Sequence, residues 1–257
     1  MRPGLPAVFL QAPIAHRALH DAAHARPENS RAAVRAALAA GYGVEIDLQL
    51  SGDGLAVVFH DATLDRMTGA AGPVRERSQA ELAALALNGG DGEGIPALAE
   101  VLALVAGQVP LLIELKDQDG SMGPGVGALE QAVADALKDY AGPVALMSFN
   151  PHSMAELARL APEIPRGLVT SSFDPQDWPE LPKAVCDDLR GIPDFKRVGA
   201  AFISHQADDL ARPRVQGLRD QGVPVLCWTV KTPAEDSAAR AFADNVTFEG
   251  YLPPAAP

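Results

Sequence analysis

Apolar and polar residues alternate one by one over residues 43–50, where Val44, Ile46, Leu48 and Leu50 interleave with Glu45, Asp47 and Gln49. A period of two marks a strand, and it sets the two carboxylates on one face. The apolar run LAVVFHD follows after Gly52, Asp53 and Gly54, a turn signal that makes the pair a hairpin. Upstream, residues 12–17 read as a first strand and Ser30 to Ala40 as an Ala-rich helix, opened by a capping serine and closed by Gly41.

From Pro110 onward the pattern becomes strand then helix. PLLIELK precedes a helix over Gly127 to Tyr140, PVALMSF one over Pro151 to Leu160, and IPRGLVT a long connection reaching Arg190. AAFISH precedes a helix over Asp208 to Gln221, PVLCWTV one over Pro233 to Phe242, and NVTFEGYL ends the series. With residues 12–17 and GVEIDLQL this makes about eight main strands separated mostly by helices, as a TIM (β/α)8 barrel requires. Residues 62–109 are less regular. Short helices over Ser78 to Leu87 and Ala97 to Ala106, the first with a Ser78/Glu81 capping box, flank the loop NGGDGEG. This stretch is predicted to be a small inserted subdomain between the second and third barrel strands of a single domain spanning 1–257. An open doubly wound sheet is the rival, but it announces itself with a glycine-rich turn after its first strand. Here that strand runs into HRALHDAAHARPEN instead.

Composition narrows the partners. A chain of 257 residues can bury a sizeable core, and 47% hydrophobic with 21% charged residues describes an ordinary soluble protein. A formal net charge of −12, without a basic stripe, disfavours nucleic acid and anionic membrane surfaces. A small anionic substrate stays open, because local cations override a global field. Cys186 and Cys227 are far apart and outside any C-x-x-C pattern, so neither a disulfide framework nor a zinc knuckle is expected. The first residues are too short and proline-interrupted for a signal-peptide apolar region, and no run approaches the ~20 apolar residues of a membrane helix. A cytoplasmic location without stable membrane insertion is the expectation; oligomeric state has no signal in the sequence.

The charged residues of the strands then matter. A parallel barrel strand is covered on both faces, so its charged side chains can point only into the barrel or its mouth. Glu45 and Asp47, with α-carbons roughly 6.6 Å apart, would repel by about 2.5 kcal/mol at an effective dielectric near 20. A bound cation reverses that sign. The spacing recurs in LLIELKD, where Glu114 and Lys116 share one face. Three carboxylates offer hard oxygen ligation suited to Mg²⁺ or Ca²⁺, with positions left for water and a phosphoryl oxygen; ion pairs at strand ends are the plainer alternative. His16-Arg17 ends the first strand and His60-Asp61 the run LAVVFHD. Two histidines at strand ends suit proton transfer at neutral pH, and Arg17 offers a planar fork for a phosphate. His20, His24 and His152 read as surface residues, while His205 ends AAFISH and faces the mouth if Ile203 faces inward. Glu28 and Asn29 read as fixing the loop that orients His16.

The ordered series His16-Arg17, Pro27-Glu28-Asn29, Glu45-x-Asp47, Asp53-Gly54, His60-Asp61 and Glu114-x-Lys116 resembles the glycerophosphodiester phosphodiesterase family. LDRMTGAAGPV, IPALAEVL, Ser148-Phe149 and Cys227-Trp228-Thr229-Val230 extend the likeness over about residues 13 to 252. The resemblance implies a TIM barrel that hydrolyses glycerophosphodiesters to glycerol 3-phosphate and an alcohol. Glu45, Asp47 and Glu114 would bind a divalent cation, Mg²⁺, Ca²⁺ or Mn²⁺; His16 and His60 would be acid and base. Arg17 and Lys116 would hold the phosphate, and Phe149 and Trp228 would line the glycerol or alcohol pocket, ordinary barrel core being their other reading. Two positions depart from the family's pattern: Ala18 where glycine usually follows His-Arg, and a last strand lacking the usual aspartate-rich ending, where Glu249 either substitutes or marks a tolerant site. Two other functions stay open, a lysophospholipase D or phospholipase-type enzyme acting on lipids, which needs an apolar rim, and a non-catalytic binding barrel.

Overall fold

Which way alternate residues point decides what the barrel encloses. The computed structural model describes residues 3–254. Its strands are β1 (Ile14–Ala15), β2 (Gly43–Leu50), β3 (Ala56–Val58), β4 (Leu111–Leu115), β5 (Val144–Ser148), β6 (Arg166–Thr170), β7 (Phe202–Gln206), β8 (Val225–Val230) and β9 (Asn245–Phe248). All but β3 pair in parallel, and β1 joins both β2 and β9, so those eight close into a TIM barrel. β3 folds back antiparallel on β2, as the hairpin reading requires.

The helices are α1 (Arg31–Ala40), α2 (Gln79–Ala83), α3 (Leu98–Val105), α4 (Ala128–Leu137), α5 (Pro151–Leu160), α6 (Lys183–Arg190), α7 (Pro213–Arg219) and α8 (Pro233–Ala239). Local chemistry sets their ends. Ser30 Oγ accepts from Ala33 N at 3.0 Å, and Gly41 closes α1 in the left-handed conformation at φ 73°. Outward-pointing Val44, Ile46, Leu48, Leu111, Ile113 and Leu146 pack against these helices in the main core.

The opposite parity fills the barrel. Ile14, Leu112, Ala145, Met147, Val169, Phe202 and Leu226 form a second apolar cluster with Phe9. Phe9 comes from a short 3₁₀ turn, Ala7–Leu10, held by Asn245 Nδ2 donating to the carbonyls of Phe9 and Ala12 at 2.8 and 2.7 Å. The barrel is thus stoppered at the end opposite its mouth. Between β3 and β4 the chain leaves the barrel, and Val57, Phe59, Leu64, Val74, Leu82, Leu87 and Ile95 gather in a small core of their own.

Several elements differ from their sequence reading; the helix expected over Ser78 to Leu87 spans only Gln79–Ala83, and the run LAVVFHD is strand only over Ala56–Val58. The first strand shrinks to Ile14–Ala15, because Arg17 and Ala18 turn out of the sheet at φ 50° and 63°. The helix expected from Asp208 starts only at Pro213, since proline restricts the residue before it and begins rather than continues a helix. The long connection to Arg190 contains α6, anchored by buried Cys186 and Leu189.

Interior packing makes a direct prediction. Gly167 faces the barrel interior, where a Cβ would lie 2.5 Å from the Phe202 ring. Gly167→Ala should therefore destabilise the fold by about 1–3 kcal/mol through overpacking, read as a lower urea midpoint with unchanged slope.

Candidate active site

Parallel register assembles the acidic cluster. Asp47 of β2 pairs with Glu114 of β4, and Glu45 lies two residues earlier on the same inward face. Because Val44, Ile46 and Leu48 take the helix-facing side, all three carboxylates enter the barrel. Each offers an oxygen within 4.8 Å of the others, and all three residues are buried. Lys116 answers part of this charge, its Nζ standing 2.6 Å from Glu114 Oε1 and 2.8 Å from Asp47 Oδ1. Asn29 clasps Asp47 from both sides, donating Nδ2 to Oδ2 at 2.9 Å and accepting the Asp47 N–H at 3.1 Å. The backbone N–H of Arg17 donates to Glu45 Oε2 at 2.7 Å.

The compensation is uneven. Burial pushes the Glu45 carboxyl well above the usual range, and Asp47 and Glu114 push it further. Burial acts on Asp47 too, but Lys116, His60, Arg17 and His16 outweigh it and hold that carboxyl well below. A set of three hard oxygen donors with an excess of negative charge fits a divalent cation such as Mg²⁺ or Ca²⁺.

Histidines flank the cluster. His16 Nδ1 lies 2.7 Å from Glu249 Oε2 and His60 Nδ1 lies 2.7 Å from Asp61 Oδ1. Burial lowers the His16 pKa, with the Glu249 hydrogen bond as a partial offset, so the ring is neutral at pH 7. A neutral ring donating Nδ1–H to a carboxylate leaves Nε2 as an acceptor. His16, Arg17, Glu45, His60, Glu114 and Lys116 line one cavity that opens to solvent at the barrel mouth, about 460 Å³ with the solvent space at its entrance included. Met147, Val169, Ser204 and Thr247 line its walls with Phe149 and Trp228. Those two rings meet edge to face at 5.5 Å, and Trp228 Nε1 donates to the Ser204 carbonyl at 3.0 Å.

All nine residues singled out in the sequence therefore fall on one cavity or directly behind it. Asp47 alone does not line it, lying sealed behind Lys116 and Asn29. His205 points the other way. Phe202 and Ser204 hold the inward parity of β7, so Ile203 and His205 face the helices, where His205 Nδ1 meets Thr170 Oγ1 at 2.8 Å and Nε2 meets Asp209 at 3.1 Å. His20 is no plain surface residue either, its Nε2 standing 3.6 Å from Glu249 Oε2.

Sequence reasoning left two carboxylates without a role. Asp61 sits beside His60 in sequence and was legible as a partner; Glu249 is 233 residues from His16, and only the departure from the family's last-strand pattern pointed at it. Lys231 Nζ, 3.1 Å from Glu249 Oε1, steadies that carboxylate from the other side.

Known proteins carry the same arrangement of fold. A family model described as the glycerophosphoryl diester phosphodiesterase family matches residues 16–246. A glycerophosphodiester phosphodiesterase of Caldanaerobacter subterraneus subsp. tengcongensis is 35% identical over 213 residues, covering 79% of this chain and 80% of that protein. A solved phosphodiesterase of Oleispira antarctica, in complex with the product sn-glycerol-3-phosphate, superposes with a TM-score of 0.73 at 27% identity over 92% of this chain and 91% of its own. A glycerophosphodiester phosphodiesterase of Thermotoga maritima, 21% identical over 91% of this chain and 93% of its own, shares the fold at a TM-score of 0.67.

The electrostatics of Glu45 predict a metal-linked stability. Its raised pKa means that folding binds a proton, so the metal-free protein loses stability as pH rises through that value. Glu45→Gln should raise the melting temperature of chelator-treated protein at neutral pH, an advantage that fades as acid protonates Glu45 in the wild type. A divalent cation at a hundred times its Kd should stabilise the wild type by about 2.7 kcal/mol and the variant much less, checked by thermal melts with and without Mg²⁺, Ca²⁺ or Mn²⁺.

Proposed function

The chain belongs to the glycerophosphoryl diester phosphodiesterase family and is a phosphodiester hydrolase, and on that premise we propose that it releases glycerol 3-phosphate and an alcohol from glycerophosphodiesters by metal-dependent, two-histidine acid/base catalysis. The observation that carries this reading is the convergence of three buried carboxylates and two carboxylate-paired histidines, with Arg17 and Lys116, at one cavity. A non-catalytic barrel has no use for such a costly collection of charge.

Glu45, Asp47 and Glu114 would hold the divalent cation, which supplies Lewis-acid neutralisation of phosphoryl oxygens when bound. Arg17 and Lys116, both largely buried, add fixed positive charge where the pentacoordinate phosphorus gathers negative charge, and their burial weakens screening by water. His16, with Nδ1–H committed to Glu249, takes a proton at Nε2 from the nucleophile, either a water or the substrate's own glycerol hydroxyl. His60, held by Asp61, gives one to the departing alkoxide. Phe149 and Trp228 close one side of the cavity with apolar surface suited to the carbon skeleton of the glycerol.

One observation favours lipid-linked diesters as a second substrate class. Trp228 and Thr229 also line a groove with Ala207, Leu210, Ala211, Ala238 and Phe242, a ring 39% exposed, and with the charged residues Asp208, Lys231 and Glu235. A single acyl chain leaving the mouth over Trp228 would lie along it. No helix among the described residues is long and apolar enough to cross a membrane.

The primary test is release of glycerol 3-phosphate from glycerophosphocholine by chelator-stripped protein given each cation in turn. Release restored by a cation and lost in Glu45→Ala supports the reading; cation-independent release overturns the metal's role. His60→Ala should lower kcat about a hundredfold and Glu249→Gln about tenfold, both with an unchanged circular dichroism spectrum. For the groove, Ala238→Trp should lower kcat/KM for lysophosphatidylcholine and leave glycerophosphocholine untouched; equal effects on both would discard the lipid reading.

A further inference from the structure

One guanidinium on the inserted segment grips both sides of the mouth. Arg66 lies in the stretch LDRMTG that follows His60-Asp61, and no step above uses it. Its Nε and Nη2 donate to the two oxygens of Asp61 at 2.6 and 3.0 Å. Its Nη1 and Nη2 donate to the two oxygens of Glu28 at 2.9 and 2.6 Å. Asp61 in turn holds His60 Nδ1 at 2.7 Å, and Glu28 accepts from Arg17 Nη1 at 2.8 Å.

We infer that Arg66 is a positioning residue for phosphodiester cleavage, setting His60 through Asp61 and Arg17 through Glu28; the inference rests on the roles proposed above for those two residues. Competition between anions gives the physical reason. Glu28 is 14% exposed and has two cationic partners among the described residues, Arg17 and Arg66. With Arg66 removed, the whole charge of Glu28 falls on Arg17, which is then drawn from the substrate phosphate it would otherwise meet. Asp61 likewise loses the fork that fixes its rotation, and His60 loses a rigid partner. Forked bonding to two carboxylates at once needs a planar guanidinium; a lysine ammonium cannot reproduce it. Arg66 itself is 46% exposed, so its ion pairs add little to the stability of the fold. Its loss acts on placement, and a small misplacement of reacting groups is costly in rate.

The two arms can be separated. Hydrolysis of glycerophosphocholine is measured for Arg66→Ala and Arg66→Lys in the wild-type, Asp61→Asn and Glu28→Gln backgrounds, with glycerol 3-phosphate affinity by calorimetry and a thermal melt for each. Arg66→Ala should lower kcat and raise KM by about tenfold each. The kcat loss should vanish in Asp61→Asn, and the KM and glycerol 3-phosphate effects should vanish in Glu28→Gln. Arg66→Lys should stay close to the alanine variant, and millimolar guanidinium should restore Arg66→Ala. If the alanine variant melts below the assay temperature, Arg66→Lys is read in the same cycle. Values within about twofold of wild type, or full-sized losses persisting in both backgrounds, overturn the inference. His60→Ala is run alongside. If it retains wild-type turnover the proposed mechanism fails and takes this inference with it, whereas an inactive His60→Ala beside a normal Arg66→Ala overturns the inference alone.

Discussion

Like charge buried at the barrel mouth is the constraint around which this protein is built. Unit charges 4 Å apart interact by about 4 kcal/mol at an effective dielectric of 20, and Glu45, Asp47 and Glu114 bring three carboxylates to such separations. The strands could not carry them inward without compensation. Lys116 bridges two of them, Asn29 clasps Asp47, and the Arg17 backbone reaches Glu45. Asp47 takes most of that support and Glu45 least, so the need for a further positive charge is concentrated at Glu45, which with Glu114 lines the cavity.

The strained backbone beside the site follows from the same requirement. Arg17, Ala18 and Asn29 all adopt left-handed conformations, at φ 50°, 63° and 57°, which non-glycine residues seldom do. By turning out of the sheet, the chain lets the Arg17 N–H meet Glu45 and the Ala18 N–H meet the Glu45 carbonyl at 2.8 Å, while the Asn29 N–H donates to the Arg17 carbonyl at 2.9 Å. Ala18 accepts a conformation in which the family usually has glycine, and its methyl group is buried in the main core, which offsets part of the cost. Local strain here is exchanged for hydrogen bonds that orient the acidic cluster.

Each histidine is met by a carboxylate, and the two solutions differ in how the chain arrives at them. Asp61 is the next residue after His60, so the pair is local and needs an outside grip on Asp61. Glu249 comes from the end of the last strand, where barrel closure brings β9 beside β1. His16 is thereby oriented by the contact that seals the barrel, so the placement of the proposed proton acceptor depends on the fold being complete. His20 and Lys231 crowd the same carboxylate, which lies well below its ordinary pKa, chiefly through the hydrogen bond from His16 and the nearby His20 ring.

Periodicity and capping are local properties, and whatever depends on them alone was determined by the sequence. The eight barrel strands, the Ser30 and Gly41 ends of α1, the hairpin at Gly52 to Gly54 and the shared faces of Glu45 with Asp47 and of Glu114 with Lys116 all follow from neighbours within a few residues. Alternation says which residues share a face but not which face the barrel encloses. Packing against the helices made that choice, and for β7 it sent His205 outward and Ser204 inward. The short β1, the span of Arg66 from Asp61 to Glu28 and the meeting of Glu249 with His16 across 233 residues were likewise decided by tertiary structure. No spacing along the chain encodes them, because they arise only when a closed barrel brings its first and last strands together and the segment between β3 and β4 carries Arg66 to Glu28.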